Sequence, residues 1–409
     1  MDARSRTFLR TWVAVFVVFI VILGLANLLV DPYLVFGMNR VSEFNLRKPA
    51  VETQERLMKA YDVLRAEPKT VTLGNSRIDW GVDAADPAWP ARDRPVYTLA
   101  LAGSPLYESH RYLQHLLAHH HVTLVVQGVD FDGFLDPNMR RSLGAEAESR
   151  LMIRVDGSVN TGRVWQHARD VLHAVFSLDA LTDSTSTLLA NLSSESPDMA
   201  PSGNWVSALN LRRAAPGGYF RDTLIDMWFT SSYEPASKIN QQMVAEVQAI
   251  INLCQSNETD LVLVINPLHA DALELLDLAG HWQAFEEWKR EMTALTAKYK
   301  RSGSGHVVLW DFTDYDSYST ESFPTATGNG ALHWFFDPQH ASKALGDAVI
   351  KRISGSGNAR FGELLETETI ETHLVNIRER REIYRTSHPA DVRRIRALYN
   401  FVVGSKARG

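Results

Sequence analysis

Three residues that lie far apart in the sequence have the side chains needed for nucleophilic acyl chemistry. Ser76 follows an apolar run in "VTLGNSRIDWG", and Asp337 and His340 belong to the segment "DPQH". A serine hydroxyl becomes a useful nucleophile when a neighbouring imidazole accepts its proton. A carboxylate that holds the other ring nitrogen fixes the tautomer and stabilises the imidazolium. The sequence therefore predicts a catalytic triad of Ser76, His340 and Asp337.

Each member of this triad also has a structural interpretation. A serine directly after a strand often caps the following helix. Asp337 followed by Pro338 is typical of a helix start with Asp337 as N-cap, and His340 would then be a surface residue. We expect Ser76 to cap a helix and also to attack a substrate, because one strand-to-helix turn can serve both purposes.

Hydrogen-bond donors are also needed, because attack on an ester creates an oxyanion. The backbone N–H of Ser76, at a helix start, is one candidate. The N–H of Gly103 is another, because the absence of a Cβ permits close approach. Asn266, in "INPLH", is a further polar candidate, although asparagine before proline also forms turns. His269 in the same segment is expected to be structural.

A parallel sheet is predicted to position these groups. Buried apolar runs predict strands at 69–73, 97–102, 122–127, 261–265 and 306–312, with helical patterns between several of them. Alternating strands and helices are typical of βαβ units and an α/β fold. Ligands bind at the carboxyl ends of the strands in such sheets. We therefore expect Ser76, Gly103, Asp130 and the segment 337–340 to meet at one edge.

The N-terminal segment predicts a membrane anchor. Residues 12–30 carry no charge, and a helix of that length rises roughly 28 Å, enough to cross a bilayer core. Arg4, Arg6 and Arg10 precede the run, so residues 1–11 are expected in the cytoplasm and the remainder outside. A cleaved signal peptide is the alternative. The length of the run and the lack of a small-x-small cleavage site favour an uncleaved anchor.

The rest of the chain is expected to form one large domain with appendages. Residues 31–67 are predicted to be a juxtamembrane linker and helix, and residues 68–353 the main domain. A partly helical insertion is predicted at about 131–235, and residues 354–409 are predicted to be a helical tail. Most arginines of that tail are expected on a solvated face, with contact to anionic lipid or acidic glycan as the alternative.

Composition restricts the classes of function. The chain has 409 residues and a net charge of −6, which argues against nucleic acid as a partner. Cys254 is the only cysteine, so an intrachain disulfide and a cysteine-based metal site are excluded. No cofactor or metal is expected. Trp165, Trp205 and Trp228 in the insertion are candidates for stacking on sugar rings, although most such residues belong to a core.

Four segments together resemble a known family. Gly74-Asn75-Ser76, Gly103, Gly128-Val129-Asp130 and Asp337-Pro338-Gln339-His340 are similar, in the same order, to the blocks of the SGNH (GDSL-like) hydrolase superfamily. They resemble more narrowly its membrane-anchored bacterial branch of polysaccharide O-acetyltransferase-like proteins. The resemblance spans roughly residues 68–353. It implies a three-layer α/β/α sandwich with a central parallel sheet, Ser76 as nucleophile, His340 as base, Asp337 as its partner and Gly103 as an oxyanion donor.

Two residues depart from the pattern of that family. Asn75 stands where the commonest version has aspartate, and Asp130 stands where an asparagine would face the oxyanion. A carboxylate is a poor oxyanion donor unless it is protonated. Either Asp130 has another role, or the donor comes from elsewhere, or activity is weak.

The resemblance implies a single-pass protein of a bacterial inner membrane with a periplasmic domain. That domain is expected to transfer or hydrolyse O-acyl groups, acetyl above all, on a cell-surface or secreted polysaccharide. Transfer is favoured because an anchor suits work beside export proteins, which are expected partners. A lipid esterase is a further alternative. Asp130 favours a different class, a catalytically inactive glycan-binding or scaffold protein of the same export system.

Overall fold

The computed structural model describes residues 3–135, 143–193, 198–206, 238–299, 305–322 and 332–406. The chain divides into two compact units. The first comprises residues 1–66 and 143–207, and the second comprises residues 67–142 and 208–409.

A six-stranded sheet forms the centre of the second unit. Its strands are β1 (Thr70–Leu73), β2 (Val96–Thr98), β3 (Leu124–Val129), β4 (Asp260–Ile265), β5 (Val307–Asp311) and β8 (Glu363–Leu364), in the order β2-β1-β3-β4-β5-β8. The first five pair in parallel, and β8 pairs antiparallel with β5. The predicted mostly parallel sheet is confirmed. The strands consist of nearly continuous buried apolar runs because parallel strands are covered on both faces.

Helices flank this sheet. Among the described residues of the second unit they are α3 (Ser76–Gly81), α4 (Leu106–Leu117), α8 (Gln241–Ser256), α9 (Ala270–Leu278), α10 (Trp282–Ala297), α11 (Lys343–Ile353), α12 (Ile370–Ser387) and α13 (Pro389–Lys406). One apolar cluster joins Val126 and Val264 of the sheet to Ile78 of α3 and Leu345 of α11. Helix α8 packs on β4, and α10 packs on β5.

The carboxyl ends of the parallel strands lie side by side. Ile265, the last residue of β4, is opposite both Val129 of β3 and Asp311 of β5. From β1 the chain goes to β2 on one side and later to β3 on the other, so the winding direction reverses between β1 and β3. Ligands bind at such a reversal in open α/β sheets. Ser76 follows β1 there, and Asp130 follows β3.

The sequence suggested that the "DPQH" segment starts a helix, but the segment forms a turn between two short strands. Phe335–Asp337 (β6) and His340–Ala341 (β7) form a small antiparallel hairpin, in which Asp337 and His340 are paired across the turn. Ser342 caps the helix that follows, because its hydroxyl accepts a hydrogen bond from the N–H of Leu345. The hairpin thereby places Asp337 and His340 directly opposite each other.

The C-terminal helices pack on the second unit and are not a solvated tail. His373 of α12 donates to the buried Asp311 at the end of β5, over 2.8 Å. Arginines of the two helices pair with carboxylates elsewhere in the unit. The pairs include Arg378–Glu286, Arg380–Asp314, Arg381–Asp277 and Arg394–Asp271. These four arginines are therefore engaged within the protein, whereas Arg393 and Arg396 are exposed, and the contact of the basic end with lipid or glycan stays a prediction.

Helices alone make up the regular structure described in the first unit. They are α1 (Ala3–Val30), α2 (Val51–Ala66), α5 (Ala145–Arg150), α6 (Arg163–Phe176) and α7 (Leu178–Ala190). Tyr33, Met58 and Tyr61 form an apolar cluster with Ala174 and Ala180 of α6 and α7. The predicted insertion at about 131–235 contains residues that interrupt the second unit in the sequence. Of these, residues 143–193 and 198–206 belong to the same unit as the N-terminal residues 3–66, whereas residues 136–142, 194–197 and 207–237 lie outside the described residues.

Helix α1 is long and apolar enough to cross a membrane, with a mean hydropathy of 3.0 over its most apolar window. Its carboxyl end is firmly attached to the first unit. The ammonium group of the buried Lys48 donates to the carbonyl oxygens of Val30 and Asp31, each over 2.8 Å. A cation is favourable at a helix C-terminus. Residues 31–35, Asn45 and Lys48 are buried, so these parts of the predicted juxtamembrane linker belong to the packed first unit, whereas residues 41–44 are exposed.

Candidate active site

The turn after β1 presents Ser76 at the edge of the sheet. Asn75, and not Ser76, is the N-cap of α3, because its side-chain oxygen accepts the N–H of Arg77 over 2.9 Å. The expectation that Ser76 caps the helix is wrong. Ser76 is the first helical residue, its hydroxyl does not cap the helix, and the residue is half-buried. Gly74 has φ +146°, a backbone conformation that L side chains rarely adopt, which makes this sharp turn possible.

Ser76, His340 and Asp337 form a hydrogen-bonded chain. The Ser76 Oγ lies 2.8 Å from His340 Nε2. His340 Nδ1 lies 2.8 and 2.7 Å from the two carboxylate oxygens of Asp337. A carboxylate partner at Nδ1 assigns the proton to that nitrogen, which leaves Nε2 as the acceptor for the serine hydroxyl. The three residues that the sequence singled out are therefore brought together in the geometry of a triad.

Packing and hydrogen bonds hold the two triad residues of the hairpin in place. Asp337 is fully buried and also accepts the backbone N–H groups of Gln339 and His340, each over 3.0 Å. The His340 ring lies against Trp80 of α3, with ring centroids 4.1 Å apart. The imidazole is thereby fixed on one side by a carboxylate and on the other by an indole.

A cavity of about 270 Å³ lies at the strand ends, beside the turn that leads to Ser76. Its wall includes Gly74 and Asn75, the two residues before Ser76, and Gly103, Gly128 and Asp130. This volume lies just below the range of about 300–1,000 Å³ that is typical of small-molecule sites, and it suits a small acyl group. The cavity also lies at the strand ends where the sequence predicted a site.

Two backbone N–H groups at this edge of the sheet are available as donors, that of Ser76 and that of Gly103, which lines the cavity. Within the described residues, neither the Ser76 N–H nor the Gly103 N–H has a hydrogen-bond acceptor. Gly103 has φ +64°, and the space where its Cβ would stand is empty to 4 Å. A substrate oxygen can therefore approach its backbone closely. Both N–H groups are therefore free to donate to a substrate oxygen.

Asp130 acts as an acceptor and not as a donor. Its Oδ2 accepts the side-chain amide of Asn75 over 2.9 Å, and its Oδ1 accepts that of Asn266 over 2.9 Å. Arg77 Nη1 lies 3.0 Å from Oδ1. Three donors thus surround this one carboxylate. Asp130 therefore orients the turn before Ser76 and joins it to the loop after β4.

Arg77 is a functional candidate that the sequence analysis did not identify. Its buried guanidinium pairs with Asp130 and forms two hydrogen bonds with Asp132, of 2.8 and 3.1 Å. Its Nη2 also donates to the side-chain oxygen of Gln339 over 2.6 Å. Burial lowers the pKa of Arg77, but the charges of Asp130 and Asp132 outweigh it and raise the pKa above its ordinary value. One side chain thus connects α3, the segment after β3 and the hairpin.

The other polar candidates lie at the margin of the triad. Asn266 contacts Asp130, and no contact with the triad is seen among the described residues. His269 is structural, as expected, because its Nδ1 accepts the N–H of Asp271 and caps α9. Trp165 and Trp205 belong to the first unit, and Trp228 lies outside the described residues.

The sequence matches no protein-family model and no curated protein. The chemistry of the site therefore has to be inferred from its geometry.

Proposed function

We propose that this protein is a serine-dependent acyltransferase or esterase of the SGNH type, with the α/β/α sandwich of that superfamily. The observation that carries the proposal is the 2.8 Å separation between Ser76 Oγ and His340 Nε2, with Asp337 on the other ring nitrogen. A separation of this kind is what activation of a serine requires. The family resemblance supports the choice of superfamily, and the site supports the chemistry.

In the first half-reaction Ser76 Oγ attacks the carbonyl carbon of an ester while its proton passes to His340 Nε2. The oxyanion that forms is stabilised by the N–H groups of Ser76 and Gly103. Collapse of the intermediate breaks the bond to the leaving oxygen, which takes the proton from His340. The acyl group is then bound to Ser76, and Asp337 has stabilised the imidazolium without taking its proton.

In the second half-reaction the acyl-enzyme reacts with a hydroxyl group. His340 takes the proton of the acceptor, which attacks the acyl carbon, and then returns a proton to Ser76 Oγ. Water as the acceptor gives an esterase, and a sugar hydroxyl gives a transferase. We propose transfer of an acetyl group to or from a polysaccharide, because the cavity is small and α1 would hold the domain beside an export system. The membrane would be a bacterial inner membrane with the domain in the periplasm, and this orientation follows from the arginines before α1.

A fluorophosphonate probe tests the serine chemistry directly. The wild-type protein is expected to be labelled covalently, and Ser76→Ala is expected to abolish labelling. His340→Ala and Asp337→Asn should slow labelling by at least 10³-fold, the scale of triad removal in other serine enzymes. Unchanged labelling of Ser76→Ala would place the reactive residue elsewhere and reject the proposal.

One observation favours the rival function, a non-catalytic glycan-binding or scaffold protein. The position where the family has an oxyanion asparagine holds Asp130, whose carboxylate oxygens accept from three protein donors and offer no amide N–H to an oxyanion. A folded wild-type protein that never reacts with the probe, but binds acetylated polysaccharide, would support the rival.

Substrate panels separate the remaining alternatives. Acetyl esters should react faster than long-chain esters if the cavity selects a small acyl group. A preference for long chains would instead indicate a lipid esterase. Release of acetate in the presence of an oligosaccharide acceptor, without acetylation of that acceptor, would indicate an esterase and not a transferase.

A further inference from the structure

Helix α6 of the first unit exposes a stripe of large apolar side chains. Trp165, Leu172 and Phe176 are 79%, 59% and 50% exposed. They are spaced by seven and four residues and therefore lie on one face of the helix. Leu178, the first residue of α7, is 78% exposed. In a water-soluble helix this face would carry polar residues.

The junction of the two helices lies beside the apolar helix α1. We call Phe176, Ser177 and Leu178 the α6–α7 corner. A Cβ on Gly24 of α1 would come within 3.1 Å of the Phe176 ring, so the corner packs directly on that glycine. The side chain of Asn27 donates to the carbonyl of Val175 over 2.9 Å. The contacts are internal to the first unit, which includes α1, α6 and α7.

Residues farther from the corner contact residues beyond the end of α1. Tyr33 stacks on His173 of α6, with ring centroids 5.9 Å apart, and its hydroxyl donates to Asp183 of α7 over 2.6 Å. The corner therefore lies beside Gly24. About a turn and a half away from the corner, both α6 and α7 contact Tyr33, which lies beyond the end of α1. The helical hairpin points its corner along α1, toward the apolar part of that helix.

The depth of the corner can be estimated from the helix geometry. Gly24 precedes Val30, the last residue of α1, by six residues, or roughly 9 Å along the axis. Residues 12–30 have about the length of a bilayer core. If α1 spans a membrane, the residues beside Gly24 lie below the surface of the leaflet at the carboxyl end of α1.

We propose that the α6–α7 corner enters this leaflet and binds lipid, with Phe176 and Leu178 among the upper acyl chains. The occupant of this exposed apolar surface is thus the bilayer that holds α1. The inference depends on α1 spanning the membrane and does not depend on the proposed acyl chemistry. The surface continues the lipid-facing surface of α1, and this continuity favours lipid over a protein partner.

The polar groups near the corner are compatible with a shallow insertion. The Ser177 hydroxyl accepts the N–H of Ala180, and the Ser177 N–H donates to the carbonyl of His173. Backbone groups that enter lipid need such internal partners. Asp179 is exposed one residue after Leu178. It limits how deeply the corner enters the leaflet, because its charge has to stay among the headgroups.

The remaining residues of the stripe suit the interfacial region. Trp165 lies eleven residues before Phe176, roughly 16 Å higher along α6. That distance places it near the headgroups, where tryptophan is enriched. Arg169, exposed beside the stripe, can extend its guanidinium to lipid phosphates while its stem lies on apolar surface.

Site-directed spin labelling of the full chain tests this proposal. Phe176→Cys and Leu178→Cys are made separately in a Cys254→Ser background and reconstituted in vesicles of phosphatidylethanolamine and phosphatidylglycerol. Collision rates with oxygen, which partitions into lipid, and with a water-soluble nickel chelate are then measured. Val17→Cys in the exposed part of α1 is the reference for acyl chains. Thr185→Cys, exposed on the same face of α7 and roughly 10 Å beyond Leu178, is the matched control.

We expect the ratio of oxygen to nickel collisions at positions 176 and 178 to be several-fold above that at 185 and to approach that at 17. A ratio equal to that at position 185 would overturn the proposal. Protection from both reagents would also overturn it, because a protein partner or a second copy would then cover the corner. If the thermal midpoint of Phe176→Cys or Leu178→Cys shows that this variant is unfolded, Leu172→Cys replaces it, because Leu172 is 59% exposed.

Discussion

The guanidinium of Arg77 donates to the side-chain oxygen of Gln339 over 2.6 Å. Arg77 follows Ser76, the proposed nucleophile, and Gln339 precedes His340, the proposed base. The contact therefore joins the two segments whose separation decides whether the hydroxyl and the imidazole meet. Since Arg77 also holds Asp130 and Asp132, the register of three segments depends on one buried cation.

Gln339→Ala is expected to slow labelling of Ser76 by a fluorophosphonate about tenfold. The substitution removes one hydrogen bond to a charged donor, and such bonds contribute about 1.5–3 kcal/mol. The folded state should survive, because Arg77 keeps both carboxylates. Labelling rates and thermal midpoints of the two proteins provide the measurement. Arg92→Gln is the control, because Arg92 is 77% exposed and pairs only with its neighbour Asp93 among the described residues. A labelling rate unchanged by Gln339→Ala would show that the contact does not position His340.

Asp130→Asn restores the residue that the family resemblance implies, yet we expect it to lower activity. The change deprives Arg77 of one of its two counter-charges and replaces an acceptor of three donors with a group that must also donate. Breaking a buried ion pair costs about 3–5 kcal/mol. The labelling rate and the free energy of unfolding should both fall. Faster labelling of Asp130→Asn would mean that an asparagine there acts as an oxyanion donor.

The double variant Asn75→Asp/Asp130→Asn tests whether these residues act as a pair. Their side chains are 2.9 Å apart, and the exchange reverses which one carries the charge. We expect the double variant to be less impaired than the sum of the single variants, with a coupling of about 0.5–3 kcal/mol. The free energies of unfolding of the wild type, the two single variants and the double variant are measured and compared in a double-mutant cycle. Additive effects would contradict a direct interaction.

Gly346→Ala is expected to displace α11 from α3 and to inactivate the site. A Cβ at this position would stand 1.6 Å from the carbonyl oxygen of Gly81, so the two helices have to separate. Overpacking of this kind costs about 1–3 kcal/mol or more. Thermal unfolding and the labelling rate measure the result. Gly162→Ala is the control, because its Cβ would approach one side-chain oxygen no closer than 3.3 Å. Equal effects of the two substitutions would refute the role of this close crossing.

Asp347 is expected to make stability depend on pH between about 4 and 7. Burial, a hydrogen bond with Asp86 and the charge of Asp86 raise the pKa of Asp347 to about 7. The folded state therefore binds this proton more tightly than the unfolded state. Its contribution is complete below the ordinary pKa of an aspartate and is lost as pH rises through 7. The thermal midpoint of the wild type should fall relative to Asp347→Asn over this interval. A constant difference between the two proteins would contradict the assignment.

The sequence was sufficient to predict the sheet and the proximity of Ser76, Asp337 and His340, because both depend on local signals. Five buried apolar runs became the five parallel strands, within a few residues at their ends. Ser76, Asp337 and His340 each follow or flank such a run, and parallel topology brings those ends together. The role of Asp130 could not be predicted, since it depends on amides of Asn75 and Asn266, which come from two other loops.

The position of residues 143–207 was also beyond the reach of the sequence. Their helices are amphipathic, but periodicity does not reveal which distant surface covers the apolar face. The residues that complete that core, Tyr33 and Tyr61 among them, lie more than a hundred positions earlier.

The role of Arg77 had a signal in the sequence. Arg77 directly follows Ser76 after one strand, and two aspartates of opposite charge, Asp130 and Asp132, follow a neighbouring strand.

The most direct test of the central claim is mass spectrometry of the Ser76 peptide after brief reaction with an activated acetyl ester and acid quenching. The account predicts that the peptide gains the mass of one acetyl group in the wild type, that fragmentation assigns it to Ser76, and that Ser76→Ala and His340→Ala lack it. An acetyl group that never appears on this peptide, in a folded protein that turns the ester over, would contradict it.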